Sequence, residues 1–420
     1  MLFLYRILIN FIFIISPIII IYRLIRKKED LKRFKEKFCF FSEKKNKGKL
    51  IWFHGASVGE LQSIVPLVEK LDKNKKINQI LITSNTLSSS KIINKFKFKK
   101  VVHQFFPIDV NFFSKKFLNY WKPSIVFFID SEIWPNMLTN LKKRNIPIML
   151  LNGRITKKTF RSWFLLKNFS KFIFSKFSLC LSSSKVSKNY LKKLGAKNIK
   201  FIGNLKFSQS ENEKIIVNKD LKKFFLTRKI WCASSTHNSE ERFCGSIHKK
   251  LKKKYKNLIT IIIPRHIDRI HDIKSELEDM GLNVHLHEPR KKINSNIDIY
   301  LVNSYGLTKS FYSLCKNVFL GGSLINHGGQ NPLEAIRFGC NVFHGPNVEN
   351  FSEIYNFLKK IKMSNKIITQ NNLIYHLEKS ISKKNKSQKK QLKVNLIGKK
   401  ILESTYNEVI FILKNEIKKT

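Results

Sequence analysis

Acidic residues are scarce in this chain: 29 Asp and Glu stand against 80 Lys and Arg in 420 residues, a formal charge of +51. So one-sided a balance attracts anions, whether nucleic acid, anionic lipid or a phosphorylated substrate. The lysines are nevertheless spread over most of the chain, and Lys, Ile, Asn and Phe, all served by A/T-rich codons, are enriched together. Compositional drift is therefore the main source of the charge. Cysteine is sparse too. Cys39, Cys180, Cys232, Cys244, Cys315 and Cys340 include no pair spaced for zinc or redox work, which reads as thiols in a reducing compartment. The histidines form no His-Glu-x-x-His helix and no ligand-spaced cluster, so no protein-bound metal is expected. A Walker loop is missing, and no Gly-x-Gly-x-x-Gly follows the first strand. Neither ATP hydrolysis nor dinucleotide redox chemistry is indicated. There is no short internal repeat; the lowest-complexity piece is KKNKSQKK at 383–390, read as a solvated helix or loop.

What is present is enough for two ordinary domains: the length allows them, and a hydrophobic content of 43% is normal for a folded chain. The N-terminus differs in kind. Residues 1–22, MLFLYRILINFIFIISPIIIIY, are apolar except at Arg6, Asn10 and Pro17, about the span a helix needs to cross a bilayer core. Arg23 to Lys49 then carries 12 basic and 4 acidic residues, a net +8. Such a flank stays on the cytoplasmic side. A cleaved signal peptide would place a small-x-small site where this chain is basic, so a retained anchor is expected. The residues leave open whether it spans fully or inserts shallowly.

Beyond it, short apolar runs alternate with helical stretches. KLIWFHG, QILITSN, PSIVFFIDS, IPIMLLNGR, SLCLSSS and NIKFIGN read as buried strands, with helical spacing between them, as in Glu60–Leu71 and Ile133–Arg144. The pattern pauses over the polar stretch Ser208–Thr227. It restarts with RKIWCASS, NLITIIIPRH, IDIYLVNS, KNVFLGG and CNVFHGP. This predicts an α/β protein of two doubly wound, Rossmann-like domains at 23–205 and 229–391, joined through 206–228. Residues 392–420 have helical spacing and are expected to pack back on the body.

In open parallel sheets ligands sit beyond the carboxyl ends of the strands. The first strand ends in His54-Gly-Ala-Ser-Val-Gly-Glu60. Its glycines permit a tight turn, and Glu60 opens a helix whose free N–H groups and dipole should lower a carboxylate pKa. Glu60 reads as an ionised general base or as a simple dipole partner. Asp130 and Glu132, in Ile-Asp-Ser-Glu-Ile-Trp-Pro-Asn, share a face if the segment is extended and separate if it has turned. Trp134-Pro135 reads as a rigid helix start. Asn152-Gly153-Arg154 brings a cation to the same edge, and Gly203-Asn204-Leu205-Lys206 places Lys206 at the joint. In the second half, Ala233 to His237 reads as a hydroxyl-rich turn capping a helix. Arg265, after Pro264, can pair with a phosphate. Gly321-Gly322-Ser323-Leu324 through His327-Gly328-Gly329-Gln330-Asn331-Pro332-Leu333-Glu334 reads as glycine-loosened backbone whose amides can approach a phosphate. Asn331 would begin a helix there, and Glu334 would accept from ribose hydroxyls.

In order along the chain, HGASVGE, SEIWPN, NGRIT, GNLKF, ASSTH, PRH and GGSL…GGQNPLEA…GP…NF resemble the 3-deoxy-D-manno-octulosonic acid (Kdo) transferase family of Gram-negative bacteria, from the anchor to about residue 360. The resemblance implies a GT-B fold, two Rossmann-like domains facing a cleft. It also implies an inverting transfer of Kdo from CMP-Kdo to a lipid A precursor (lipid IVA), at the cytoplasmic face of the inner membrane, in lipopolysaccharide synthesis. No tightly held metal and no cofactor are implied, CMP-Kdo being a substrate. By the same resemblance the first domain takes the acceptor and the second the CMP-sugar. Glu60 matches the proton acceptor, and Asp130 and Lys206 match transition-state-stabilising groups. Pro264, Arg265, Tyr305, Gly306, Leu307, Asn331, Pro332, Leu333 and Glu334 match the CMP contacts. This chain departs from the family pattern in four places. Asp130 stands for the usual Glu, Asn303 to Thr308 for Asp-Thr-Met-Gly-Glu-Leu, Gln330 for a common His and Ser208 for a common Asp. The expected partners are CMP-Kdo, a lipid A precursor and an anionic inner-membrane surface. Nucleic acid is not expected, because no basic patch is interleaved with exposed aromatics. Two rivals remain: a GT-B transferase for another nucleotide sugar, and a non-catalytic, membrane-tethered nucleic-acid-binding protein.

Overall fold

The computed structural model of the chain describes residues 1–209, 218–288, 293–381 and 387–417. Residues 210–217 of the expected joint and 383–386 of the low-complexity run lie outside the described residues. There are two compact units, Met1–Ser210 with Ile397–Thr420, and Glu211–Leu396.

The first unit is built on seven parallel strands: β1 (Leu50–His54), β2 (Gln79–Ser84), β3 (Val101–Phe105), β4 (Ile125–Ile129), β5 (Ile148–Gly153), β6 (Leu179–Ser182) and β7 (Ile199–Phe201). Their order is β3-β2-β1-β4-β5-β6-β7. Strands β1, β2, β4, β5 and β6 are buried at every position, which is why they read as unbroken apolar runs. Strand β3 is an addition to the expected set. Its sequence Val-Val-His-Gln-Phe carries two polar side chains, and its first two positions are half-exposed at the sheet edge. With β3 in place, the strand ending at Asp130 is the fourth, not the third, and the one ending at Gly153 is the fifth.

Five helices of this unit matter to the site: α1 (Leu2–Ile25), α2 (Val58–Asp72), α3 (Leu87–Ile93), α4 (Asn111–Trp121) and α5 (Pro135–Lys143). Buried Asp109 organises the start of α5, accepting from the backbone N–H groups of Asn136 and Met137 at 2.9 and 2.8 Å. Helix α1 is long and apolar enough to cross a membrane by length and composition. It does not stand away from the unit, however. Leu2, Tyr5, Ile9 and Phe13 pack on the core, and Ser16 and Ile20 are buried, so one stripe at spacings of three and four docks along the whole helix. Tyr5 donates to Asp109 at 2.8 Å and Arg6 to Asn136 at 3.0 Å. The opposite stripe, with Phe3, Ile7, Phe11, Ile14 and Ile18, is exposed.

The second unit repeats the architecture with β8 (Lys229–Thr236), β9 (Leu258–Pro264), β10 (Val284–Leu286), β11 (Ile299–Leu301), β12 (Asn317–Leu320), β13 (Asn341–His344) and β14 (Ser364–Lys366). The order is β10-β11-β9-β8-β12-β13-β14, all parallel. The edge strands β10 and β14 were not expected; each is three residues long, too short to show a period. The C-terminal helix spans Ser387–Ile417, so the expected boundary before 392 falls inside it. The polar residues of its first turn hide its start. Its second part belongs to the first unit, where Ile401 packs at Gly203, Glu403 pairs with Lys70, and Glu408 pairs with Lys200 at 2.7 Å. All six cysteines are free and buried.

Candidate active site

In the first unit the carboxyl ends of β1, β4 and β5 carry the reactive side chains. The loop after β1 turns into α2 through a capping box between Ser57 and Glu60. Glu60 accepts from the Ala56 backbone N–H at 2.7 Å and from the Ser57 hydroxyl at 2.8 Å. Beside it, Asp130 follows β4 in the left-handed region at φ 55, so the chain has turned and Asp130 and Glu132 diverge. Glu132 accepts from Trp134 Nε1 at 2.9 Å and meets His54 Nε2 at 3.2 Å. Asp130 instead accepts from Asn152 Nδ2 and pairs with Lys206 Nζ at 3.6 Å. Asn152 is the connector: its Oδ1 accepts from the Leu205 N–H at 2.9 Å, tying the turn that carries Lys206 to the end of β5. The sequence points only to Arg154 in that stretch.

The protonation of Glu60 differs from the helix-dipole expectation. Burial, then Glu132, then Asp130 push its carboxyl up to about 7 from the ordinary 4.5, against the Ser57 and Ala56 hydrogen bonds that pull it down. Glu60 lies in the first turn, where the helix dipole favours its charged form, but desolvation and two neighbouring carboxylates together outweigh that effect. A carboxylate titrating near neutral pH is matched to taking and returning a proton.

In the second unit Pro264 ends β9, and Arg265 follows it, anchored by its backbone N–H to the Thr236 carbonyl at 2.9 Å. The Arg265 side chain is exposed and has no hydrogen bond or ion pair among the described residues. Tyr305, Gly306 and Leu307 form the turn before the helix Thr308–Leu314, with Tyr305 65% exposed and Gly306 at φ 86. Asn331 and Pro332 precede a short helix, Leu333–Arg337, rather than starting it. Asn331 Oδ1 accepts from the Leu333 N–H at 3.1 Å, a local turn that leads into the helix. Glu334 lies half-buried in the first turn.

Two expectations for this edge are corrected. The amides of Gly322, Ser323 and Leu324 are not open to a phosphate: they donate to buried Glu240 at 2.7, 3.1 and 3.0 Å. The same carboxylate accepts from the His237 N–H at 3.0 Å. Nor does a hydroxyl cap the helix Glu240–Lys252: Ser239 precedes it without a side-chain cap bond. Three histidines, scattered in sequence, converge at this edge. The rings of His237 and His327 lie 4.5 Å apart, and those of His237 and His266 5.6 Å apart. Burial chiefly holds His237 below the usual imidazole pKa, with His327 and His266 adding to it. The one signal that could find them is that His237 and His266 both follow strand ends. Among the described residues no three His, Cys, Asp or Glu side chains are arranged to hold a metal ion.

Comparison with known proteins bears on both edges. The profile of the 3-deoxy-D-manno-octulosonic-acid transferase (kdotransferase) family matches residues 32–209, the stretch that holds Glu60, Asp130 and Lys206. A 3-deoxy-D-manno-octulosonic acid transferase of Rickettsia bellii is 33% identical over 390 residues, covering 91% of this chain and 92% of the relative. One from Haemophilus influenzae is 29% identical over 74% of each chain. Among solved structures, the UDP-GlcNAc 2-epimerase of Neisseria meningitidis bound to UDP-GlcNAc superposes with a TM-score of 0.55 at 14% identity, over 86% of this chain and all of that one, a likeness of fold. With its two seven-stranded parallel sheets of GT-B type and a relative aligned almost end to end, the chain belongs to the Kdo transferase family of glycosyltransferases.

Proposed function

We propose that the protein transfers Kdo from CMP-Kdo to a hydroxyl of a lipid A precursor (lipid IVA) in lipopolysaccharide synthesis, with inversion at the anomeric carbon. The observation that carries the mechanism is Glu60, a half-buried carboxyl raised to about 7 beside a strand end. The acceptor oxygen attacks C2 of Kdo and its proton passes to the Glu60 carboxylate. The bond from C2 to the phosphate oxygen breaks, and CMP leaves with the electron pair. Lys206, held by Asp130 and Asn152, supplies positive charge as charge develops. In the second unit Pro264, Arg265, the turn Tyr305-Gly306-Leu307 and the segment Asn331-Pro332-Leu333-Glu334 contact CMP. The exposed Arg265 guanidinium meets its single phosphate. The reaction needs no resident cofactor or metal, the leaving group carrying one phosphate.

The same reading puts the protein at the inner face of the cytoplasmic membrane. Because α1 is docked along one face, its bare stripe inserts into the lipid surface rather than the helix crossing it. The basic residues after it attract anionic lipid. Incubating the protein with CMP-Kdo and a tetra-acylated lipid A precursor, with products read by mass, tests the proposal. One added Kdo mass or more supports it. Transfer that CMP does not inhibit, but UDP does, refutes the donor assignment.

A further inference from the structure

A cavity of about 370 Å³ opens in the first unit where α1 ends. Its lining is Arg23, Lys27 and Lys28 from the end of α1 and the residues after it, Thr86, Leu87 and Ser88 from the start of α3, and Lys91 from its last turn. Four basic residues, two hydroxyl residues and Leu87 thus line one space with no acidic residue among them, and their aliphatic parts form most of its wall. Arg23 is held in place by buried Glu29 at 2.6 Å. Lys27, Lys28 and Lys91 have no ion pair among the described residues, so like charges are gathered here without compensation. Such a gathering is unfavourable unless an anion fills it. A cavity of this size admits a phosphorylated sugar head.

Position narrows the ligand further. The cavity begins where the apolar helix ends, which on the membrane reading above is where lipid headgroups meet protein. Its other wall reaches the reactive edge: Ser89 of α3 donates to the Ala56 carbonyl at 3.2 Å, and the Ala56 N–H donates to Glu60. We infer that this cavity binds a phosphate monoester on the headgroup of the lipid acceptor, holding it while a hydroxyl of the same headgroup reaches Glu60. The inference rests on the lipid-acceptor reading above. Lysines suit this task as point charges for a dianion, and the Ser88 hydroxyl can donate to a remaining oxygen, while Thr86 is engaged as the cap of α3 and with Ser89.

The test uses the full chain and two variants. One carries Lys27→Glu, Lys28→Glu and Lys91→Glu. The control reverses three exposed lysines elsewhere in the unit, Lys188→Glu, Lys192→Glu and Lys193→Glu. With a bisphosphorylated acceptor, the cavity variant is expected to raise the acceptor KM about tenfold or more. Its kcat and its KM for CMP-Kdo should stay near those of wild type, and acceptor stripped of phosphate should show no such change. An equal rise with the stripped acceptor, or in the control variant, overturns the inference in favour of general membrane attraction. A second arm needs no turnover: co-sedimentation with vesicles of phosphatidic acid or phosphatidylglycerol at matched surface charge. Wild type and control should prefer the monoester, and the cavity variant should not; absence of that preference in wild type overturns the inference even if transfer is seen. If transfer is absent but the preference holds, the catalytic reading fails and the cavity stands. Displacement from phosphatidic acid vesicles by inorganic phosphate at low concentration would make free phosphate the ligand and overturn the lipid assignment.

Discussion

Glu60 and Glu240 occupy equivalent places in the two units, each near the start of the helix that follows the first strand of its sheet. Their use is opposite. Glu240 is 1% exposed and collects four backbone N–H groups, three from the loop after β12, so it clamps two loops together. Glu60 takes N–H groups only from its own loop and shares its surroundings with Glu132 and Asp130. One carboxylate is fully satisfied and structural. The other is half-buried among like charges and sits where it titrates near neutral pH. A strand-end Glu is therefore judged by what surrounds its carboxylate, not by its place in the fold.

The largest effect that would break the comparison is on turnover. Glu60→Gln keeps the capping geometry and loses the base, so kcat should fall about 10³-fold, measured in the mass-resolved transfer assay. The same substitution should stabilise the protein at high pH. Glu60 binds its proton more tightly folded than unfolded, so its contribution is present below pH 4.5 and is lost as pH rises through about 7. At pH 8 the variant should exceed wild type by about 1–3 kcal/mol in denaturant unfolding, with no difference near pH 4. Glu240→Ala should do the reverse, costing about 2–4 kcal/mol by leaving buried N–H groups without an acceptor.

Smaller effects sharpen it. Arg265→Ala removes a charge-assisted contact of about 2 kcal/mol, expected as a rise of roughly 30-fold in the KM for CMP-Kdo with stability unchanged. Smallest is Glu132→Gln, which removes the larger of the two charge effects on Glu60. The acid limb of kcat/KM should move to lower pH, while Asp298→Asn, in the second unit, should leave that limb where it is.

Much of the framework was legible in the sequence because strands buried on both faces leave apolar runs. Edge strands are the exception. His103 reaches Ser84 at 2.9 Å and the Phe105 N–H donates to Glu36 at 2.7 Å, polar contacts that break the apolar pattern of β3. At the site, sequence order gave the position of Glu60 but not its protonation, because the carboxylates that raise it lie some seventy residues away. Glu240 was illegible for the same reason, since three of its donors come from 322–324. Asn152 reads as part of a turn, and only the folded chain makes it the link from Asp130 to the turn of Lys206.

The pH dependence of kcat/KM for Kdo transfer, measured on wild type and on Glu132→Gln, tests the role of Glu60 most directly. An acid limb near pH 7 in wild type that shifts downward in the variant is the predicted result. A limb that stays in the range of an ordinary carboxylate, near 4.5, or one unmoved by the variant, would contradict it.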